Sequence, residues 1–232
     1  TADDQAVLIA ARKELENLMV TVAPESVSAQ QIAELNAAGI VVSLGHSDAT
    51  FQQAGAALDA GARCFTHLYN AMSPLTHREP GMVGAALRSP QAFAGLIADG
   101  FHVDPAAIAI ALSAKRQPGH IFLVTDAMST IGTDIKSLQL NGRTIHRQDG
   151  RLLLDDGTLA GADLDMNTAV RFMINKVGLA ATESYRMAAL YPARCMGITN
   201  RLGSLHAGSM ANITHLDKNH RVTRTWISGK DG

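Results

Sequence analysis

Five short apolar runs, each closing on or near an ionisable residue and each followed by a helical pattern, constrain this chain more than any other feature. In Gly39-Ile40-Val41-Val42-Ser43-Leu44-Gly45-His46 a β-branched stretch ends in a histidine. That pattern reads as a strand buried on both faces, delivering His46 to the edge of a parallel sheet. Thr50 and Gln53 follow with the spacing of a capping box, in which each side chain takes up a free backbone N–H at a helix start. The unit recurs at Leu18 to Ala23, Arg63 to His67, Phe93 to Asp99 and Ile121 to Asp126. Strands alternating with helices imply parallel βαβ units with right-handed crossovers and helices covering the sheet. The fold class is therefore α/β, as an open doubly wound sheet or as part of a (β/α)8 barrel.

The intervening segments fit this frame. Thr1 to Glu16 reads as a helix, and Ser26 or Ser28 caps another whose Ile32 and Leu35 share one face before Gly39 ends it. A long exit, Leu68 to Gly84, carries Asn70, His77, Arg78 and Pro80; structureless loops of that length are usually functional or disordered. Asp104 as cap and Pro105 at the first helical position start a further helix. After Ile131 the texture changes to short antiparallel strands around Asn141-Gly142, a strong hairpin signal. A helix then runs from Asp163 to Val177, stopped by Gly178. A shorter one runs from a Thr182 cap to Leu190, broken by Pro192. Strands return at Ala211 to Leu216 and Val222 to Ile227. The expected layout is residues 1–200 in the barrel, with a hairpin insertion near 137–155, and residues 201–232 in a small β domain.

Composition narrows the partners. Apolar residues make up 47% and charged residues 18%, against about 25% charged in an average protein, which suits strands covered on both faces. A formal net charge of -1 gives no long-range attraction for nucleic acid or anionic lipid, so neither partner is expected. No run reaches the ~18 apolar residues of a membrane span, and the amino end lacks a signal-peptide pattern. Cys64 in a strand run and Cys195 in a helical run do not suggest a disulfide scaffold. A cytoplasmic location is the expectation.

His46, His67 and Asp126 each end a parallel strand, at the edge where such folds assemble active sites. Two histidines and a carboxylate around a divalent metal with an open position can lower the pKa of bound water to ~7. Each residue alone reads as readily as a hydrogen-bonded core histidine or a helix cap; the triple at matching strand ends points to a site. Arg78 offers a planar fork suited to phosphate, with His102 as a second anion contact. Asn70 suits a polar substrate group or a turn. Glu25 ends a strand but reads as a helix start, and His120, His146, His206, His215 and His220 take no role from position.

Seven segments in order carry a family resemblance: Val22-Ala23-Pro24-Glu25, Gly45-His46-Ser47-Asp48-Ala49-Thr50, Thr66-His67-Leu68-Tyr69-Asn70-Ala71-Met72, Arg78-Glu79-Pro80-Gly81, Ala98-Asp99-Gly100-Phe101-His102-Val103, Val124-Thr125-Asp126-Ala127-Met128 and Tyr191-Pro192-Ala193-Arg194. Together they resemble the N-acetylglucosamine-6-phosphate deacetylases of the amidohydrolase superfamily, over nearly the whole chain. The resemblance implies that His46 and His67 bind the metal, zinc with iron as the alternative, and that Asp126 is the acid/base that activates the attacking water. It assigns Asn70, Ala71, Arg78 and His102 to the sugar phosphate, and likens Leu159-Ala160-Gly161 to a loop closing over the sugar. It implies a (β/α)8 barrel of which strands 4 to 8 lie here, a small β domain, and a homodimer.

The family's pattern also includes a His-x-His pair on the first barrel strand and a glutamate ligand in His-Leu-Glu-Gly-Pro, and neither occurs in this sequence. Glu25 does not match that segment and is not assigned as a ligand. The expectation is a carboxy-terminal portion of the enzyme, or a longer molecule than the sequence shows. The implied reaction is hydrolysis of the acetamide of N-acetylglucosamine 6-phosphate to glucosamine 6-phosphate and acetate. Two rival readings are an amidohydrolase acting on a cyclic amide and a non-catalytic fragment that binds a sugar phosphate.

Overall fold

The computed structural model describes residues 1–232, the side chain of Ala2 excepted. Five strands, β1 (Met19–Val22), β2 (Val41–Leu44), β3 (Cys64–Phe65), β4 (Phe93–Ile97) and β5 (Ile121–Val124), form one sheet in the order β1-β2-β3-β4-β5. The pairings β1 with β2, β2 with β3 and β3 with β4 are parallel. Sequence order equal to spatial order, with helices between, is the topology of a partial barrel. The chain divides into two compact units, Thr1–Leu96 with Ile110–Phe122 and Tyr191–Gly197, and Ile97–Ala109 with Leu123–Leu190 and Ile198–Gly232.

The first unit is built as the apolar runs require. Val42, Leu44, Phe65 and Ala94 are all fully buried, as are Ile32 of α2 (Ala29–Ala37) and Ala54 of α3 (Phe51–Asp59) to within about 1% exposure. Each such Val, Leu, Ile or Phe contributes about 1.5–3 kcal/mol on burial. The helix starts follow their caps: Thr1 opens α1 (Ala2–Glu14), Ser28 opens α2 and Thr50 opens α3, each in a complete capping box. Of the two candidate serines, the cap is Ser28. Gly45 has no room for a side chain, because a Cβ there would lie 2.9 Å from Cβ of Thr66.

Two expectations in this unit fail. The exit read as Leu68 to Gly84 ends at Pro80: from Gly81 the chain is a helix, α4 (Gly81–Arg88), in which Gly81 through Leu87 are all buried. Its two glycines weaken the helical signal, and complete burial against the layer compensates. Pro192 does not break a helix either. It lies in the first turn of α8 (Leu190–Met196), where a missing N–H costs nothing.

In the second unit Asp104 and Pro105 start α5 (Pro105–Ala114) as expected, the Ala106 amide donating to Asp104 Oδ1 at 2.7 Å. An antiparallel sheet follows, β6 (Ser137–Leu140), β7 (Arg143–Gln148), β8 (Arg151–Leu154) and β9 (Leu159–Ala162). The β6–β7 turn is Asn141-Gly142, both at positive φ, which matches the right-handed twist of the hairpin. Leu159–Ala162 is thus a strand rather than a loop; small residues hid it. Asp165 caps α6 (Met166–Phe172), a π-helical turn covers Met173–Val177, and Gly178 at φ 78° stops it. α7 (Ala181–Ala188) starts after Ala180, not from a Thr182 cap. The strands β10 (Ile213–Leu216), β11 (Val222–Ile227) and β12 (Lys230–Asp231) make a separate antiparallel sheet. No helix among the described residues is long and apolar enough to cross a membrane.

Candidate metal and sugar-phosphate site

Because β2 and β3 are adjacent and parallel, their exits lie side by side, and His46 and His67 meet. Their Nε2 atoms are 2.8 Å apart and the rings stand edge to face, at 4.6 Å between centroids and 72° between planes. Two nitrogens bound tetrahedrally to one zinc at ~2.0–2.1 Å would be roughly 3.3 Å apart, so the pair is in direct hydrogen-bond contact, somewhat closer than two ligands of one zinc. His67 is 6% exposed. Both residues hold left-handed backbone, φ 49° and 33°, which a non-glycine residue adopts at a cost of order 1 kcal/mol and keeps only where its surroundings enforce it.

The enforcement is visible. The Ser47 amide donates to the Ala71 carbonyl at 3.0 Å and the Ser73 amide to the Ser47 carbonyl at 3.1 Å, a short bridge stitching the His46 turn to the loop after His67. Ser73 Oγ donates to the Ala49 carbonyl at 2.5 Å and accepts the Met82 amide at 2.8 Å, tying both to the first turn of α4. In the same loop Asn70 donates from Nδ2 to the Leu68 carbonyl at 3.2 Å, and Ala71 is left-handed at φ 45°. Arg78 is exposed at a tip closed by Thr76 and Glu79. Glu79 accepts the Phe51 and Gly81 amides, which hold its carboxyl below the usual range.

The second unit has a buried polar group of its own. Asp99 and His102 are buried together, each side chain 7% exposed, with His102 Nδ1 donating to Asp99 Oδ2 at 2.6 Å. The Phe101 and His102 amides donate to Asp99 Oδ1 at 2.8 and 2.9 Å. Burial alone would raise the Asp99 carboxyl; these hydrogen bonds outweigh it and hold the carboxyl below its ordinary value. The ionised Asp99 therefore fixes the proton of His102 on Nδ1. Asp126 is exposed and left-handed at φ 52°, its carbonyl accepting the Ala162 amide at 2.8 Å. That bond sets β9 beside it: a Cβ on Gly161 would lie 2.8 Å from Met128 Cγ and 3.3 Å from the Asp126 carbonyl.

Sequence reasoning missed Ser47, Ser73 and Asp99. The Asp-x-x-His spacing of Asp99 and His102 was a usable signal; the two serines carried none. No group of three or more His, Cys, Asp or Glu side chains able to hold a metal occurs among the described residues. A cavity of about 920 Å³ in the second unit, lined by Met166, Tyr185, Leu202, Ile213 and Val222 among others, contains none of the candidate site residues.

The parallel βα layer with a histidine pair at its strand exits is an amidohydrolase arrangement, and residues 16–231 match the Amidohydrolase family; the chain belongs to that family, which is metal-dependent. Its relatives are sugar-phosphate deacetylases. It is 42% identical over 225 residues to an N-acetylgalactosamine-6-phosphate deacetylase of Shewanella sp. (strain ANA-3), across 96% of this chain and 56% of the relative. It is 37% identical over 214 residues to the N-acetylglucosamine-6-phosphate deacetylase of Haemophilus influenzae, across 91% of this chain and 55% of that one. The crystal structure of N-acetylglucosamine-6-phosphate deacetylase from Pasteurella multocida superposes with a TM-score of 0.94 at 35% identity, covering 100% of this chain and 60% of the other. The chain thus spans between half and two thirds of the length of these proteins.

Proposed function

We propose that this chain serves the hydrolysis of the acetamide of an N-acetylated hexosamine 6-phosphate, N-acetylglucosamine 6-phosphate first, giving the free amino sugar phosphate and acetate. The observation that carries the reading is the convergence of His46 and His67 Nε2 at 2.8 Å from two adjacent strand exits. The pair fits a divalent transition metal, zinc before iron, which when bound would polarise the amide carbonyl and acidify a water.

The chain's own residues supply the rest. Asp126 is the acid/base: its carboxylate takes a proton from the attacking water as the C–O bond forms, and returns it to the amide nitrogen as the C–N bond breaks. Arg78 provides the fork for the 6-phosphate and His102 Nε2 a second contact, with Asn70 and the Ala71 backbone on the sugar. Residues 1–200 are read as barrel and 201–232 as part of a small β domain, in a cytoplasmic homodimer. The relatives named for the galactosamine epimer favour a second reading, in which the 4-epimer is the preferred substrate.

The test is acetate release from N-acetylglucosamine 6-phosphate, its galactosamine epimer and unphosphorylated N-acetylglucosamine, with and without added zinc. Release from the phosphorylated sugars alone is expected, and Asp126→Asn is expected to lower it about 10²–10⁴-fold with zinc still bound. Equal release from the unphosphorylated sugar would remove phosphate recognition, and an undiminished Asp126→Asn would remove that residue from the chemistry.

A further inference from the structure

The turn that carries His46 is held from outside itself. On its leading side the Gly45 amide donates to the Val22 carbonyl at the end of β1, at 3.2 Å. On its trailing side stands Glu25, three residues beyond that strand. Glu25 Oε2 accepts the Ser47 hydroxyl at 2.5 Å and Oε1 accepts the Asp48 amide at 3.2 Å. Ser47 Oγ in turn accepts the Ala49 amide at 3.0 Å, so one carboxylate, through one hydroxyl, fixes three consecutive residues after the histidine. The β1 exit thus grips the His46 turn on both sides of its left-handed residue.

Burial alone would raise the Glu25 carboxyl, but the hydrogen bonds from Ser47 and Asp48 outweigh it and hold it below the usual range. Glu25 is therefore an ionised acceptor near neutrality, and bonds to an ionised acceptor are roughly twice as strong as neutral ones. Both of its oxygens are engaged by chain donors. Glu25 accepts two of the bonds that hold the His46 turn, and Ser73 makes another from the far side through the Ala49 carbonyl; removing the Glu25 acceptor leaves the strained φ of 49° with less to enforce it.

We propose that Glu25 is a positioning residue: its carboxylate fixes Ser47 and Asp48 so that His46 Nε2 is aimed at His67 Nε2, readying the pair for a metal ion. The proposal rests on the metal reading above, and two separate measurements tell the failure of one from the failure of the other. The first needs no metal. Imidazole ¹⁵N shifts of His46 and His67, assigned with His46→Gln, are recorded in the metal-free protein and in Glu25→Ala and Glu25→Gln. Glu25→Ala is expected to move the His46 signals toward those of a free imidazole, and Glu25→Gln, which keeps an acceptor at the same reach, to restore them in large part. The second is titration with Co²⁺, followed by its visible spectrum. Glu25→Ala is expected to weaken binding about 10–100-fold, as removal of groups that orient metal-binding histidines does, with Glu25→Gln in between. Unchanged His46 shifts in Glu25→Ala overturn the proposal whatever the cobalt does, and should that variant fail to fold, unchanged shifts in Glu25→Gln relative to Glu25→Asp overturn it equally. Wild-type protein that binds no cobalt overturns the metal reading, while the imidazole shifts still decide the positioning role.

Discussion

The parallel layer of the first unit and the four-stranded antiparallel sheet of the second are held by different forces. In the first, Val42, Ser43, Leu44, Cys64, Phe65 and Phe93 through Leu96 are all buried, and stability comes from apolar area removed from water on both faces. In the second, β6 has no buried residue and β7 has one, Ile145. β8 and β9 add only Leu152 and Ala162 to that buried line, and polar bonds supplement it: Arg147 donates from Nε to Asp163 Oδ2 at 2.7 Å and from Nη1 to the Thr130 and Thr133 carbonyls. A layer anchored by its interior can carry strained residues at its strand ends, whereas a sheet anchored by a few polar bonds depends on each.

That contrast can be broken by substitution. The largest loss is expected for Phe65→Ala in β3, where the ring is fully buried; urea unfolding should show a loss of about 3–5 kcal/mol. Next is Arg147→Met in β7. Asp163, whose side chain is 8% exposed, would be left buried without its cation, a loss of about 3 kcal/mol. A change of under 1 kcal/mol would mean that the antiparallel sheet is held by its apolar line after all.

Lys115 sharpens the comparison from the other side. It is 7% exposed with Nζ donating to the Ser89 and Arg116 carbonyls, and burial pushes its pKa down from 10.5 to about 8. Between those values the native protein has lost a proton that the unfolded chain keeps, so stability rises with pH across that window, and below it the buried charge is a penalty. The rise is at most about 3 kcal/mol. It should appear as the wild-type dependence that Lys115→Met lacks in urea unfolding at pH 8 and pH 10.5. The smallest effect is expected at Leu140 in β6, 45% exposed, where replacement by Ala should change stability by under about 0.5 kcal/mol.

Features written in neighbouring residues were legible in the sequence. The caps at Ser28, Thr50 and Asp104, the Asn141-Gly142 turn and the strands β1, β2, β4 and β5 are local, and the structure has them where the sequence put them, although β1, read as buried, has no buried residue. α4 was not legible, because its glycines argue against a helix that only tertiary burial makes. Nor was β9, whose Leu-Ala-Gly-Ala lacks the β-branched residues that mark a strand. The meeting of His46 with His67 followed from adjacent parallel strands. The bond from Glu25 to Ser47 did not, because it joins positions 22 residues apart through a contact that no periodicity encodes.

The left-handed backbone at His46, His67, Tyr69, Ala71 and Asp126 has a consequence for anyone diversifying this protein in the laboratory. At those five codons the accessible alphabet is short: glycine, asparagine and aspartate can sit there, whereas valine, isoleucine and threonine cannot without distorting the loop. A randomised library should be written with that reduced alphabet. A failed β-branched variant at any of them reports on torsion before it reports on chemistry.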